Sequence, residues 1–537
     1  MKKLVYGLLA SVLTISLLLG ACAKPTPSPT TPPPTTPPAT APAPAPKATP
    51  TLPPPATGTP RYGGVLRVGT TTHPSTLLPT GQPLKQSFLG ALFDTLLKLD
   101  KSGELQPNLA TEWSFSPDKK SFTLKLRQGV KFHDGTELNA AAVKWNILER
   151  KKFRDWTEVT SVDIVDDYTV RLNMDAFTNT LLVSLWFIPG MMTSPTTFDK
   201  WGKDDGQWHP TGTGPFKLAA YQHEVVGKFV RNDGYWQKGK PYLDEFHYVM
   251  IRDSTTMELA LRAGEVDAVA EGIEVDVRRK LADEGKHQVV TGTVETYDVL
   301  VPDTVNPDSP FYNKKVRDAV DYAIDRKEIA KSLGFGYLEA FNQLSPSVEY
   351  AYNKTIPGRA YDPAKAKQLL AEAGYPNGFK TKMNRPFSYD ARDVAVQSYL
   401  KAVGIDAEIE ITNIAQYYNL ERGGWKNRLI IRAFRNPPDW LAYVDSMVNT
   451  SSIENKSWTR PTGLMDSLNK AKAATTMAEK SAAAQQMVKL IYDEAAMIPL
   501  YGTVYAVVAR QGINNMGYYA LWGPNELWSP ADVWMSK

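Results

Sequence analysis

Apolar residues are spaced along this chain in three ways. From Leu4 to Leu19 they run almost unbroken behind Met1-Lys2-Lys3, the basic start and short hydrophobic middle of a secretory signal peptide. From Gly63 to Gly69 the sequence alternates as a strand does. Farther along, Val316, Ala319, Val320, Ala323 and Ile324 recur at helical spacing, and Ala366, Leu369, Leu370 and Ala373 form one apolar face. That second stripe follows Asp362-Pro363, an N-cap with proline at the first helical position, and Gly374 supplies its stop. Both stripes predict core faces without chemistry, and short strands mixed with helices predict α/β or α+β lobes. Lys131 to Gly135 reads as a hairpin end with an Asp-Gly turn and Phe132 packed inward, which makes His133 a structural hydrogen-bonding residue. Thr211-Gly212-Thr213-Gly214-Pro215 lacks the Lys-Ser/Thr of a phosphate loop and reads as a tight chain reversal.

Composition narrows the class. With 42% hydrophobic and 22% charged residues, the 537-residue chain can bury a large core, and its length predicts two to four folding units. A formal charge of +4 without a basic run argues against a nucleic-acid surface. One cysteine excludes a disulfide framework and a cysteine-based zinc cluster, and the six histidines are scattered, so no metal or other cofactor is expected. After the leader no stretch approaches the ~18–20 consecutive apolar residues that span a bilayer. Leu181 to Met192 is short and contains Pro189.

The single cysteine, Cys22, stands directly after Leu19-Gly20-Ala21, which resembles the lipobox of bacterial lipoproteins. There the thiol takes a diacylglycerol, and removal of residues 1–21 then frees the amine of the cysteine. Between Lys24 and Pro60 lie 16 of the 40 prolines. Such a stretch favours extended polyproline II at ~3.1 Å per residue, so residues 22–60 predict a tether reaching on the order of 100 Å. Anchoring to the outer face of a membrane, or in a periplasm, is therefore expected.

A series of motifs follows in fixed order: Gln106 to Trp113, Phe122 to Gly135, Ala140 to Trp145, Pro210 to Phe216, Tyr235-Trp236, Gly239 to Asp244, and Leu261 to Asp267. It continues through Val316-Arg317 to Arg326, Tyr361 to Tyr375, and Ile498-Pro499-Leu500-Tyr501. This series resembles the family 5 solute-binding proteins of ABC transporters, the peptide and nickel type. The resemblance implies a two-lobed periplasmic-binding-protein fold of mixed α/β class with a ligand cleft between the lobes. One lobe is expected over 61–291 plus 503–537, with an inserted subdomain at about 81–209, and the other over 292–502. It also implies a monomeric receptor that hands its solute to permease subunits driven by cytoplasmic ATPases.

Dipeptide receptors of that family pair an Arg of an Arg-Pro-Tyr segment with the ligand carboxylate, and this chain has Arg385-Pro386-Phe387. A guanidinium fork suits a carboxylate. Arg385 is thus a candidate anchor, the alternative being a surface or hinge charge. The family's acidic amine anchor falls near Ala433 to Trp440, where Arg435 or Asn436 occupies the position and Asp439 is the nearest acid. A cleft built this way favours a carboxylate over a free ammonium. Trp425, Trp440 and Trp522 are candidate walls for an oligosaccharide, and a nickel chelate is a further alternative. A lipid-anchored hydrolase finds little support: Ser116 to Lys119 and Ser467 to Lys470 fit Ser-x-x-Lys without its companion elements, and His223-Glu224 lacks a second histidine.

Overall fold

The computed structural model describes residues 58–71, 74–79, 88–99, 105–153, 155–269, 271–346, 350–386, 390–436, 440–450, 455–516 and 528–536. The leader, Cys22 and the proline-rich stretch up to Thr57 lie outside the described residues, as do Phe387, Asp439 and Trp522.

Two long strands, His287–Pro302 and Ile498–Arg510, pair antiparallel through the middle of a sheet that has eleven strands among the described residues, one of them the short Leu338–Ala340, which pairs with Ile498–Arg510. Both are rich in Val, Tyr and Thr, residues that fit a pleated, half-buried surface. Beyond Ile498–Arg510 the sheet continues through Ala268–Val269, Val65–Thr70, Glu245–Met250, Val226–Arg231 and Phe216–Gln222. Beyond His287–Pro302 it continues through Arg428–Arg435, Phe379–Pro386 and Ile405–Thr412. The register between the two long strands shifts at Thr291/Val294, Val294/Thr296 and Asp298/Val299. Such irregularities bend a strand pair and increase its twist.

Phe379–Pro386 lies parallel to both of its neighbours, Ile405–Thr412 and Arg428–Arg435. Helices Ala391–Ala402 and Ile414–Gly423 make the connections. Asp390 caps the first by accepting from the Arg392 N–H at 2.8 Å, and Asn413 with Gln416 forms a capping box on the second. On one face of these strands Leu300, Met383, Leu429 and Ile431 pack with Val316, Ala319, Val320 and Ala323 of helix Lys314–Ala323 and with Ala366 and Leu370 of helix Pro363–Glu372. Asp362 caps the latter helix as its sequence predicts, accepting from Lys365 N–H at 2.8 Å.

A separate four-stranded antiparallel sheet, ordered Ala110–Phe115, Ser121–Leu126, Thr169–Met174 and Val159–Asp166, has its own core with helix Ala140–Lys151. From the neighbouring segment, Asn179 donates through Nδ2 to the carbonyls of Ala471 (2.7 Å) and Ala474 (3.3 Å), at the carboxyl end of helix Leu464–Ala473. Leu181 to Met192 forms a two-turn helix, Thr180–Trp186, and a 3₁₀ turn at Ile188–Gly190. Among the described residues no helix is long and apolar enough to cross a membrane.

Two motif readings find their physical basis. His133 accepts the Gly212 N–H at Nδ1 (3.3 Å) and lies 3.0 Å from the Gly214 carbonyl through Nε2, and burial pushes its pKa down to about 4. Glycine at 212 and 214 serves close approach rather than the chain reversal expected of it. A Cβ at Gly212 would meet the Leu92 carbonyl oxygen at 2.0 Å, and one at Gly214 would meet the Leu92 carbonyl carbon at 2.4 Å. Only a residue without a side chain admits the end of helix Leu89–Leu92 so closely.

Candidate ligand-binding site

The carboxyl ends of the three parallel strands, Pro386, Thr412 and Arg435, come out on one edge of the sheet. In open α/β sheets, ligands bind in the crevice outside such ends. Side chains alternate across a strand, so Arg385 projects on the face that carries Met383, while Ala433 and Arg435 continue the face of Leu429 and Ile431. Asp298 is paired with Ala433 on one side and Tyr501 on the other, which brings it onto the same face. Along Arg428–Arg435 this face changes from buried to open: Leu429 and Ile431 are buried, Ala433 is exposed and Arg435 is half-buried.

Arg385 is surrounded by acids. Its Nη1 lies 3.1 Å from Asp298 Oδ2, its Nη2 3.5 Å from Asp390 Oδ2, and its Nε 3.3 Å from Asp393 Oδ2. Asp390 also binds Arg392, whose guanidinium sits over the Tyr501 ring at 5.2 Å and donates to Thr503 Oγ1 at 3.3 Å. The Tyr501 hydroxyl donates to Asp393 Oδ1 at 3.4 Å. Burial is the largest influence on Asp393 and pushes its carboxyl up to about 7, against the pull of Arg385. Burial alone would lower the Arg385 pKa, but the carboxylates, led by Asp298, hold it above the ordinary arginine value. Three aspartates thus share two arginines in a place where only 15% of the Arg385 side chain is exposed.

The other sequence-predicted residues fall into two groups. Arg435 has no carboxylate within ion-pair distance among the described residues. Asn436 is buried; its Nδ2 donates to the Val294 carbonyl at 3.0 Å, at the register shift, and its Oδ1 has no partner among the described residues. Trp425 and Trp440 are packed inside the core on the opposite face, with Phe434, Tyr297 and Trp458, so neither presents a free indole face in this structure. The Trp440 Nε1–H donates to the Tyr297 hydroxyl at 3.0 Å. No motif in the sequence marks Asp298, Asp390, Arg392 and Asp393 as site residues, and Tyr501 stands there only as the end of the Ile498-Pro499-Leu500-Tyr501 motif. One signal was available: Asp298 stands in a strand directly before an apolar run, Val299-Leu300-Val301, and an acid buried there calls for a cation.

A cavity of about 590 Å³ opens elsewhere, lined by Phe93, Asp94, Lys98, Trp186, Tyr235 and Lys240 among others. Both of its acids are already occupied, Asp532 by Lys240 Nζ at 2.5 Å and Asp94 by neutral donors. Asp94 accepts from Tyr235 Oη (2.9 Å), Trp236 Nε1 (3.0 Å) and Thr213 Oγ1 (2.9 Å), and burial pushes its pKa up to about 6. The Tyr235-Trp236 and Thr213 motifs are thereby explained as structure. No group of His, Cys, Asp and Glu able to hold a metal ion occurs among the described residues.

Three comparisons bear on this geometry. The chain is 29% identical over 465 residues to the glutathione-binding protein GsiB of Shigella flexneri serotype 5b, covering 82% of this chain and 88% of that protein. Its structure is similar to that of the ABC transporter-associated periplasmic binding protein DppA from Helicobacter pylori in complex with peptide STSA. That match has a TM-score of 0.74 at 25% identity over 89% of this chain and 99% of that one. NikA from Brucella suis in complex with Fe(III)-EDTA shares the fold, with a TM-score of 0.77 at 24% identity over 84% of this chain and 96% of that one. The architecture is thus the two-lobed one of periplasmic binding proteins. Residues 104–455 match the model for bacterial extracellular solute-binding proteins, family 5 (middle), and the chain belongs to that family.

Proposed function

We propose that this protein is the extracytoplasmic receptor of an ABC importer. It is held to a membrane by a lipid on Cys22, captures a peptide or peptide-like solute bearing a carboxylate, and passes it to permease subunits driven by cytoplasmic ATPases. The observation that carries this reading is the meeting of two features within the family's fold. The carboxyl ends of three parallel strands open beside the point where the two long strands lose register. The lobes are then 61–291 with 503–537, and 292–502. The register shifts fall within a few residues of both boundaries, where bending of the strand pair would close one lobe on the other. Relatives support the solute class: glutathione, peptide STSA and an EDTA chelate, named for GsiB, DppA and NikA, all contain carboxylates.

The test uses the lipid-free mature chain with panels of peptides, oligosaccharides and metal chelates. A true ligand at a hundredfold excess over its dissociation constant stabilises the fold by about 2.7 kcal/mol. Small-angle scattering with that ligand shows compaction. If no compound in the three panels raises the Tm or compacts the protein, the receptor reading is lost. Anchoring is tested separately: Cys22→Ser releases the protein from membranes or leaves it unprocessed, and unchanged mass with unchanged membrane retention refutes it.

A further inference from the structure

We infer that the residue receiving the solute's carboxylate is Arg435, and that Arg385 is a positioning residue which fixes the cleft wall without touching the ligand. The inference rests on the receptor reading above and refines it. Two arginines lie near the same strand ends, and their surroundings differ. Arg385 already faces Asp298, Asp390 and Asp393 at 3.1–3.5 Å. A ligand carboxylate approaching it adds a fourth anion to that cluster, and like charges in a site of low dielectric repel strongly. A half-buried guanidinium with no acid beside it among the described residues, as at Arg435, has the opposite character. Closing the cleft over it removes water from a cation, which is costly unless an anion arrives with the solute.

Position adds to charge. Arg435 is the last residue of its strand and is paired with Thr296 of His287–Pro302, which is in turn paired with Thr503 of Ile498–Arg510. Next to it, Asn436 Nδ2 bonds the Val294 carbonyl, so the strand end is tied to the irregular stretch of the crossing pair. A carboxylate held by Arg435 therefore sits at the bend, where it links solute capture to closure. Asn436, by this account, positions Arg435 and does not receive an ammonium. Arg385, with Arg392, locks the start of helix Ala391–Ala402 to Asp298 on the crossing strand.

Calorimetry with N-acetyl-trialanine and its C-terminal amide tests the assignment on the intact mature chain. Wild type is expected to prefer the acid by about tenfold to a thousandfold. Arg435→Gln is expected to remove that preference while leaving the Tm of the ligand-free protein in place. Arg385→Lys, which keeps a cation among the three aspartates, is expected to retain the preference, and Arg385→Gln to lower the Tm. Loss of the preference in Arg385→Lys, with Arg435→Gln unaffected, overturns the inference. Equal binding of acid and amide by wild type, with compaction by both, also overturns it and leaves the receptor reading intact. If wild type binds neither probe nor any compound of the wider panels, both readings fall together.

Discussion

Two buried acidic regions of this molecule are built on opposite principles. Around Asp94 one carboxylate is met by three neutral donors, Tyr235, Trp236 and Thr213, beside a cavity of about 590 Å³. Around Arg385 three carboxylates are met by two guanidinium groups and one phenol. Neutral donors hold a single charge in one geometry whatever the neighbouring domain does. Ion pairs in a buried setting depend on every member, since removing one leaves the others uncompensated. The first arrangement suits a fixed joint within a lobe. The second suits a place where a long strand, a helix start and the end of a parallel strand must keep a common geometry.

This contrast can be broken most severely at Arg385. Arg385→Ala strands the buried Asp298 and Asp393, while Asp390 keeps Arg392, and should destabilise the protein by about 3–5 kcal/mol in chemical denaturation. Asp94→Ala should cost less, about 1–3 kcal/mol, because water from the adjoining polar cavity can satisfy the three freed donors. An equal loss at the two sites would erase the distinction drawn between them.

A finer test is pH. Both Asp94 and Asp393 have pKa values raised by burial, to about 6 and about 7. The folded protein then holds protons that the unfolded chain, with ordinary aspartates near 3.8, has already released. The stability each contributes therefore falls as pH rises from about 4, until pH 6 for Asp94 and pH 7 for Asp393, and is flat above. The slope is at most about 1.4 kcal/mol per pH unit for each group. Asp94→Asn should flatten the lower part of the window only. Asp393→Asn, whose neighbours are Asp298, Asp390, Arg385, Arg392 and Tyr501, should flatten it up to pH 7. If Asp393→Asn leaves the stability curve between pH 6 and 7 unchanged, the carboxyl is ionised there and the cluster is better neutralised than its burial implies.

Much of the scaffold is legible in the amino-acid sequence. The stripe of Val316, Ala319, Val320 and Ala323, and the Asp362-Pro363 start, lie where the structure has helices, because helical periodicity and capping are local properties of a few neighbouring residues. His133 is legible as a structural residue from its Asp-Gly turn, although its partners, Gly212 and Gly214, are about 80 positions away. The same distance hides the purpose of those glycines, since nothing local reports that Leu92 packs against them.

The candidate site divides along the same line. Motif order by itself points to the fold family, to Arg385 and to the departure at Arg435 and Asn436, because these are statements about residue identity at positions in one chain. Whether a cation is available to a ligand is not such a statement. Arg385 and Arg435 are both arginines at the ends of parallel strands. What separates them is that Asp298, 87 positions before Arg385, arrives from the crossing strand on one and not the other. Likewise Trp425 and Trp440 have the composition of a binding wall, and only the packing of helix Trp440–Val448 against the sheet places their rings in the core. Coulomb energy and desolvation depend on distances of a few ångströms between residues that the chain brings together late. The sequence therefore determined which groups exist, and the tertiary structure decided which of them are already neutralised.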